Sequence, residues 1–191
     1  MATYLCAILM VAMPAALDPV RSEIFTGFLM LIFLVTFMLP AINIVLFKIF
    51  GTISSLAMED RRDRVVPFVF VTLLYLLMTY LFYVKFKIDF TDNIMKFLII
   101  MDLLVIGSTL TTFFYKVSVH SVGICGLLGI LLPLNKVSED SQLLYPTIGM
   151  IVVAGAVLSS RLQLNSHTPR EVMVGGAMGF AIGFGGMNVL F

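Results

Sequence analysis

The residues best suited to chemistry stand in one polar stretch, SRLQLNSHTPREV, residues 160–172. It holds His167, one of only two histidines in the chain, with Arg161 before it and Glu171 just beyond it. Imidazole attacks electrophiles and carries protons near neutral pH, guanidinium binds oxyanions, and a carboxylate orients an imidazole. The stretch therefore combines the groups needed for acid–base and nucleophilic chemistry on an anionic substrate.

Part of this polarity also has a local structural explanation. Thr168 followed three residues later by Glu171, with Pro169 between them, is typical of a capping box at the start of a helix. Arg161 ends the preceding apolar stretch, where snorkelling or pairing with the helix dipole would be ordinary. Capping does not require an imidazole just outside the helix, so His167 is the residue that these structural roles leave unexplained.

A second polar cluster, KVSVHS, spans residues 116–121 at the predicted start of another helix. The first turn of a helix offers unpaired N–H groups and the positive end of the helix dipole. Lys116, Ser118 and His120 would add a charge, a hydroxyl group and a titratable proton. The alternative is an interfacial lysine beside a histidine that is simply hydrogen-bonded.

A third cluster, EDRRDRVVP at residues 59–67, contains six consecutive charged residues. It fits a solvated turn in which Asp60 and Arg64 form an i,i+4 pair and Pro67 lies early in the next helix. It also fits an arginine clamp for an anion, because guanidinium presents paired planar donors to phosphate. Arg64 is favoured for that role because it lies nearest the predicted helix.

Two histidines are too few for a typical catalytic zinc site with three protein ligands, so we expect no metal. The sequence has no P-loop, dinucleotide-binding or Gly-x-Ser-x-Gly motif, and we expect no cofactor. Two imidazoles among cations suit phosphoryl transfer instead. One attacks phosphorus, the other protonates the leaving oxygen, and the cations stabilise the developing charge.

The composition indicates that the protein that carries these groups is an integral membrane protein. The 191 residues are 60% hydrophobic and 12% charged, whereas a soluble domain carries about 25% charged residues. A net charge of +1 gives no reason to expect a nucleic-acid partner. Cys6 and Cys125 both lie in apolar runs and are interpreted as small buried hydrophobic residues.

Six apolar stretches approach the roughly 20 residues that a helix needs to cross a membrane. They lie at about 24–49, 65–84, 94–115, 120–134, 144–160 and 171–190. We predict an all-α fold, a polytopic transmembrane helical bundle with a six-helix core over about 24–190, in a single integral membrane domain over 1–191. The short apolar segment 1–17 is predicted to be embedded in the membrane, and a cleaved signal peptide is the alternative.

Glycine spacing in the fourth and sixth stretches predicts close packing of helices, because small residues let helix backbones approach each other. In the sixth stretch the glycines recur every four residues and therefore share one face. The positions are Gly123, Gly126, Gly129, Gly175, Gly179 and Gly183.

Counting the spans assigns the loops alternately to two sides of the membrane. Side one receives 50–64, 115–119 and 161–170, and side two receives 18–23, 85–93 and 135–143. Both histidines fall on side one together with the charge block, so we expect helix packing to bring the polar clusters together.

The basic residues bear on the orientation of these sides. Side one carries seven and side two carries five, which alone would favour a cytoplasmic site. Five of the seven are candidates for phosphate binding, and without them the count is two against five. We therefore expect the site to face outward, in the inner (cell) membrane of a bacterium.

These residues resemble the type 2 phosphatidic acid phosphatase superfamily of membrane lipid phosphatases. The third motif of that family is Ser-Arg, five residues, His, three residues, Asp. Ser160, Arg161, His167 and Glu171 match its spacing, with Glu in place of Asp. The resemblance extends over about 24–190, where the six-helix core of the family matches the six predicted spans.

The other two motifs of the family are matched less closely. The second, Pro-Ser-Gly-His, reads Val117-Ser118-Val119-His120 in this chain. The first, Lys, six residues, Arg-Pro, has its nearest counterpart in the segment RVVP, residues 64–67.

The resemblance implies a role for each matched position. His167 is the expected nucleophile that forms a phosphohistidine, Glu171 orients it, and His120 protonates the leaving group. Arg161 and Ser118 are expected to bind phosphate, in a reaction that needs no metal. The remaining residues of the expected phosphate-binding set are Ser160, Lys116 and Arg64.

The expected substrate is a lipid phosphate, such as phosphatidic acid, phosphatidylglycerol phosphate or a polyprenyl diphosphate. Val119 stands where the family has glycine, and the lysine of the first motif has no counterpart. The alternative is therefore an inactive or weak relative that binds or moves anionic lipid. A small transporter fits less well, because the histidines lie at junctions of loop and helix and not near the membrane midplane.

Overall fold

The computed structural model describes residues 1–56, 58, 60–137 and 142–191. All regular elements of this described part are helical, which confirms the predicted all-α fold. The helices are α1 (Ala2–Ala12), α2 (Ser22–Ile49, with a π-helical segment at Leu34–Met38), α3 (Arg61–Phe86), α4 (Asn93–Phe114), α5 (Val119–Val137), α6 (Leu144–Gln163) and α7 (Pro169–Leu190).

Six of these helices, α2 to α7, are long and apolar enough to cross a membrane, as the sequence predicts. The chain is therefore an integral membrane protein. The short apolar helix α1 precedes them and has 11 residues, fewer than a span needs. Its Leu5 and Leu9 are almost fully buried, so one face of α1 packs against protein.

The largest difference from the predicted boundaries is at the start of α3, which begins at Arg61 and not near residue 65. The carboxylate of Asp60 caps this helix and accepts a hydrogen bond from the backbone N–H of Arg62 at 3.0 Å. Residues 61–64 of the charge block consequently form the first helical turn, and Pro67 lies inside the helix instead of near its start. Glu59, the first residue of the block, lies outside the described residues.

The helices group into two compact units. The first comprises residues 1, 3–18 and 117–191 and contains α5, α6, α7 and nearly all of α1. The second comprises residues 2 and 19–116 and contains α2, α3 and α4. The single domain expected over 1–191 stays a prediction.

In the second unit, Arg64 holds the segment that leads into α3. Its side chain is buried, and its Nε donates a hydrogen bond to the carbonyl oxygen of Met58 at 2.7 Å. Met58 has a positive φ of 46°, a conformation that an unbranched residue adopts at a cost. The Asp63 carboxylate accepts hydrogen bonds from the backbone N–H and the hydroxyl of Ser54 in the same segment. Asp63 and Arg64 of the charge block thus have structural roles in this unit.

Arg64→Lys should destabilise the protein by about 2 kcal/mol, because lysine has no Nε donor and the part-buried hydrogen bond to the Met58 carbonyl oxygen is lost. Arg62→Lys is the matched control, since the side chain of Arg62 is exposed and should be replaced with little effect. The melting temperatures of the two purified variants check this. Equal melting temperatures would show that Arg64 does not stabilise the turn.

In the first unit, α5 and α7 are packed in parallel with their backbones in direct contact. A methyl group placed on Gly179 would overlap the carbonyl oxygen of Val122, and one placed on Gly183 would overlap that of Gly126. Two residues four apart on α7, Gly179 and Gly183, thus contact two residues four apart on α5 in the same order, which shows that the helices run in parallel. Only glycine fits at these positions of α7, so the predicted close packing is confirmed.

Gly179→Ala should lower the melting temperature, because the added methyl group meets backbone that cannot rotate away. The overlap should cost about 1–3 kcal/mol, more than the helix propensity that alanine gains. Gly185→Ala on the same helix is the control, since no neighbouring atom of the described residues lies within 4 Å of the added methyl group. It should melt at or slightly above the wild-type temperature, and a similar loss in both variants would refute the packing explanation.

Candidate active site

The chain turns sharply between α6 and α7, and this turn carries His167. Asn165 has a positive φ of 50°, and its N–H donates to the carbonyl oxygen of Leu162 at 3.0 Å. Asparagine tolerates this left-handed conformation better than other residues that have a side chain, and it commonly ends helices in this way. The turn brings His167 back over the first residues of α7.

The first turn of α7 forms the predicted capping box, with Pro169 as its first helical residue. The hydroxyl of Thr168 accepts a hydrogen bond from the Glu171 N–H at 3.3 Å, and Glu171 Oε2 accepts one from the Thr168 N–H at 3.3 Å. The same Oε2 lies 2.7 Å from Nδ1 of His167. Glu171 therefore both caps the helix and contacts the imidazole.

The contact with Glu171 sets the chemistry of His167. A carboxylate only accepts hydrogen bonds, so Nδ1 carries the proton in this pair. The lone pair of the neutral ring is then on Nε2, the nitrogen suited to nucleophilic attack. The side chains of His167 and Glu171 are 7% and 13% exposed, so little water competes for this hydrogen bond. The pair is a pre-oriented imidazole with a carboxylate behind it.

The start of α5 lies beside the start of α7. The backbone N–H of Ser118 donates to the carbonyl oxygen of Glu171 at 3.3 Å. The Ser118 hydroxyl accepts from the N–H of Ser121 at 3.4 Å, which makes Ser118 the cap of α5. Glu171 thus contacts His167 with its side chain, and its backbone carbonyl oxygen binds Ser118 in the segment that carries His120.

Because α5 and α7 run in parallel, their N-termini meet at the same end of the first unit. Each N-terminus carries the equivalent of about half a positive charge and unpaired N–H groups. Two such ends side by side favour a bound anion more than either does alone. Of the three polar clusters expected to meet, parts of two lie together in this unit, joined by the hydrogen bond from Ser118 to Glu171. The meeting with the charge block stays a prediction.

Arg161 and Ser160 lie in the last turn of α6. The Nε of Arg161 is buried and has no hydrogen-bond partner among the described residues. A buried guanidinium N–H without an acceptor lowers the stability of the folded protein by about 1–3 kcal/mol, and a ligand that accepts a hydrogen bond from it removes this cost. The Ser160 hydroxyl donates to the carbonyl oxygen of Val157 at 2.8 Å, so it would have to rotate before donating to phosphate.

The other expected site residues differ in their surroundings. His120 is exposed in the first turn of α5, whereas Ser118 is fully buried. Lys116 and Arg64 belong to the second unit, where Arg64 binds the Met58 carbonyl oxygen as described above. Phosphate binding by Ser118, Lys116 and Arg64 stays a prediction.

Within the described residues, no three His, Cys, Asp or Glu side chains are grouped so that they could hold a metal ion. The polar groups at this end of the first unit include an arginine, hydroxyls and helix N-termini. These are anion-binding groups, and cation ligands are not prominent among them.

Three contributions to this geometry escape sequence reasoning. The left-handed Asn165 has only the preference of asparagine for that conformation as a signal. The hydrogen bond from Ser118 to Glu171 joins two backbone atoms, so the residue types at these positions do not indicate it. The buried hydroxyl of Ser121, which has no partner within the described part of the chain, looks in sequence like an ordinary helical serine.

Comparison with known proteins finds no match for this chain among family models, curated proteins or solved structures.

Glu171→Gln should separate capping from orientation of the histidine. Glutamine can still accept from the Thr168 N–H, so the free energy of unfolding should change by less than about 1 kcal/mol. Neutral glutamine holds a protonated imidazole poorly, so any turnover that depends on His167 should fall by orders of magnitude. Melting temperature and turnover measured on the same preparation check this, and unchanged turnover would confine Glu171 to capping.

Proposed function

We propose that this membrane protein is a metal-independent lipid phosphatase, which hydrolyses a phosphomonoester or diphosphate on a lipid through a phosphohistidine. The observation that carries the proposal is the 2.7 Å contact between His167 Nδ1 and Glu171 Oε2. It fixes the tautomer that a nucleophilic histidine needs and supplies a negative charge to stabilise the imidazolium. The resemblance to the type 2 phosphatidic acid phosphatase superfamily supports the same assignment.

In the first step of the proposed reaction, the lone pair of His167 Nε2 attacks phosphorus. A P–N bond forms, the P–O bond to the lipid breaks, and its electron pair stays on the leaving oxygen. His120 gives that oxygen a proton, so the lipid leaves as an alcohol or, from a diphosphate, as a monophosphate. The ring of His167 becomes positive on phosphorylation and is stabilised by Glu171.

In the second step, His120 accepts a proton from water as the water oxygen attacks phosphorus. The P–N bond breaks, inorganic phosphate leaves, and His167 regains its neutral tautomer. The two proposed steps use no oxidant, cofactor or metal, since His167 and then water attack phosphorus and His120 transfers the protons.

Stabilisation of the phosphoryl oxygens falls to the groups gathered at this end of the first unit. Arg161 has a buried Nε without a partner in the described chain, which an oxyanion would satisfy. The parallel N-termini of α5 and α7 add donors already oriented before the substrate arrives. Such pre-organised donors are commonly the largest single contribution to catalysis.

The proposed substrate is a lipid, because the catalytic groups lie at ends of helices long and apolar enough to cross a membrane. Phosphatidic acid, phosphatidylglycerol phosphate and polyprenyl diphosphates all present the required group. We propose that the protein resides in the cell membrane of a bacterium with its site facing outward, supported by the distribution of basic residues outside the site.

Val119 supports a second candidate, a relative without turnover that binds or moves anionic lipid. In the resembling family a glycine stands at this position, where a side chain would hinder close approach of phosphate to the backbone. This candidate retains the anion-binding groups and predicts lipid-phosphate binding without release of phosphate.

His167→Ala should abolish phosphate release from a panel of lipid phosphates, because no other group is proposed to form the intermediate. His120→Ala should slow release by about a hundredfold or more, the usual contribution of a general acid. Phosphate released by protein purified in detergent is the measurement. Full turnover by His167→Ala would refute the proposed nucleophile.

The same assay contains two controls for mechanism. Activity should persist in a chelator, and vanadate should inhibit because it adopts the five-coordinate geometry of the phosphoryl transition state. Loss of activity in the chelator with recovery on adding a divalent cation would contradict the proposed chemistry. Binding without turnover by the wild type would favour the second candidate.

A further inference from the structure

We infer that Gly175 is a positioning residue, which sets the placement of the Ser118–His120 segment against His167 and Glu171. The inference rests on the proposed phosphatase function for its catalytic consequence, but its structural part can be tested without activity. Gly175 lies one turn beyond Glu171 on α7 and belongs to no motif that carries the resemblance.

The geometry around Gly175 differs from that at the other contacts between α5 and α7. A methyl group placed on Gly175 would lie 2.9 Å from the carbonyl oxygen of Ser118 and 3.4 Å from its backbone nitrogen. It would also lie 3.4 Å from Cγ2 of Val122, a side-chain atom. The backbone atoms that it meets belong to Ser118, the residue that caps α5 and donates to the Glu171 carbonyl oxygen. The contacts of Gly179 and Gly183 are made one and two turns deeper, with Val122 and Gly126.

The absence of a side chain at Gly175 therefore lets the Ser118 N–H reach Glu171. His120 follows Ser118 by two residues, and Glu171 contacts His167 directly. A shift of the Ser118 backbone would change where the proposed general acid stands relative to the nucleophile. Substrate binding through Arg161 on α6 should be affected much less.

The test compares three alanine variants of α7 in the full-length protein. Gly175→Ala should keep its fold but push the Ser118 backbone away by several tenths of an ångström. Its kcat should fall about tenfold or more while KM changes by less than about twofold, because misplacement of a catalytic group weakens the transition state and not ground-state binding. Hydrogen–deuterium exchange at the Ser118 amide should become faster.

Gly183→Ala is the control for general loss of packing. It should lower the melting temperature at least as much as Gly175→Ala, yet keep wild-type kcat per folded molecule and wild-type exchange at Ser118. Gly185→Ala, whose added methyl group meets no neighbour in the described part of the chain, should resemble the wild type in all measurements.

Two results would overturn the inference. One is wild-type exchange at Ser118 in Gly175→Ala, and the other is an equal loss of kcat in Gly183→Ala. If the wild type releases no phosphate from any lipid, the proposed function fails, while exchange at Ser118 still decides whether Gly175 positions this segment.

If Gly175→Ala does not fold, Ser118→Ala and Ser118→Pro provide the decisive pair. Both lose the hydroxyl, but only proline also loses the N–H that donates to Glu171. The proline variant should have a kcat at least about tenfold below that of the alanine variant at similar KM. Equal kcat values would overturn the inference.

Discussion

The close backbone contact of α5 with α7 is the constraint on which the candidate site depends. At the N-terminal end of this contact, the backbone of Ser118 occupies the space that a side chain at Gly175 would need. Helices held at this distance in parallel have their N-termini side by side. The caps of both helices, the two histidine segments and two positive dipole ends consequently meet without any long-range loop to position them.

In a membrane, the ends of the helices are where backbone donors are available to a ligand. Helices satisfy their own backbone groups in lipid, except at the first and last turns. The candidate site is built from those turns, where donors are unpaired by necessity. Glu171 satisfies one of them as a cap and contacts His167 with the same carboxylate oxygen. A single carboxylate oxygen of Glu171 therefore both caps the helix and orients the imidazole. Only a substitution that keeps a hydrogen-bond acceptor at residue 171 and removes its negative charge can separate the two roles.

The sequence was sufficient to predict the all-α class, the six spans and the capping box, because apolar length and local spacing determine these features. It was also sufficient to predict close packing by the glycines of α7. The start of α3 was misplaced because Asp60 caps seven residues before Pro67, and a charged first turn looks like a loop. The contact of Ser118 with Glu171 and the left-handed Asn165 depend on tertiary contact and backbone conformation, which residue types specify weakly. The sequence also does not show which of the three arginines in the charge block is buried, and the structure shows that it is Arg64, which donates to the Met58 carbonyl oxygen.

Formation of a phosphoenzyme at His167 is tested most directly by trapping it. The His120→Ala protein would be incubated with a lipid phosphate labelled in its phosphoryl group, quenched in alkali and digested for mass spectrometry. This variant lacks the residue proposed to protonate the leaving group and to activate water. With a lipid phosphate whose leaving group needs no protonation, the transferred phosphate should accumulate as phosphohistidine on the peptide that contains residues 160–172. Label on another residue, or turnover of the wild type with no labelled peptide under any quench, would contradict a covalent mechanism through His167.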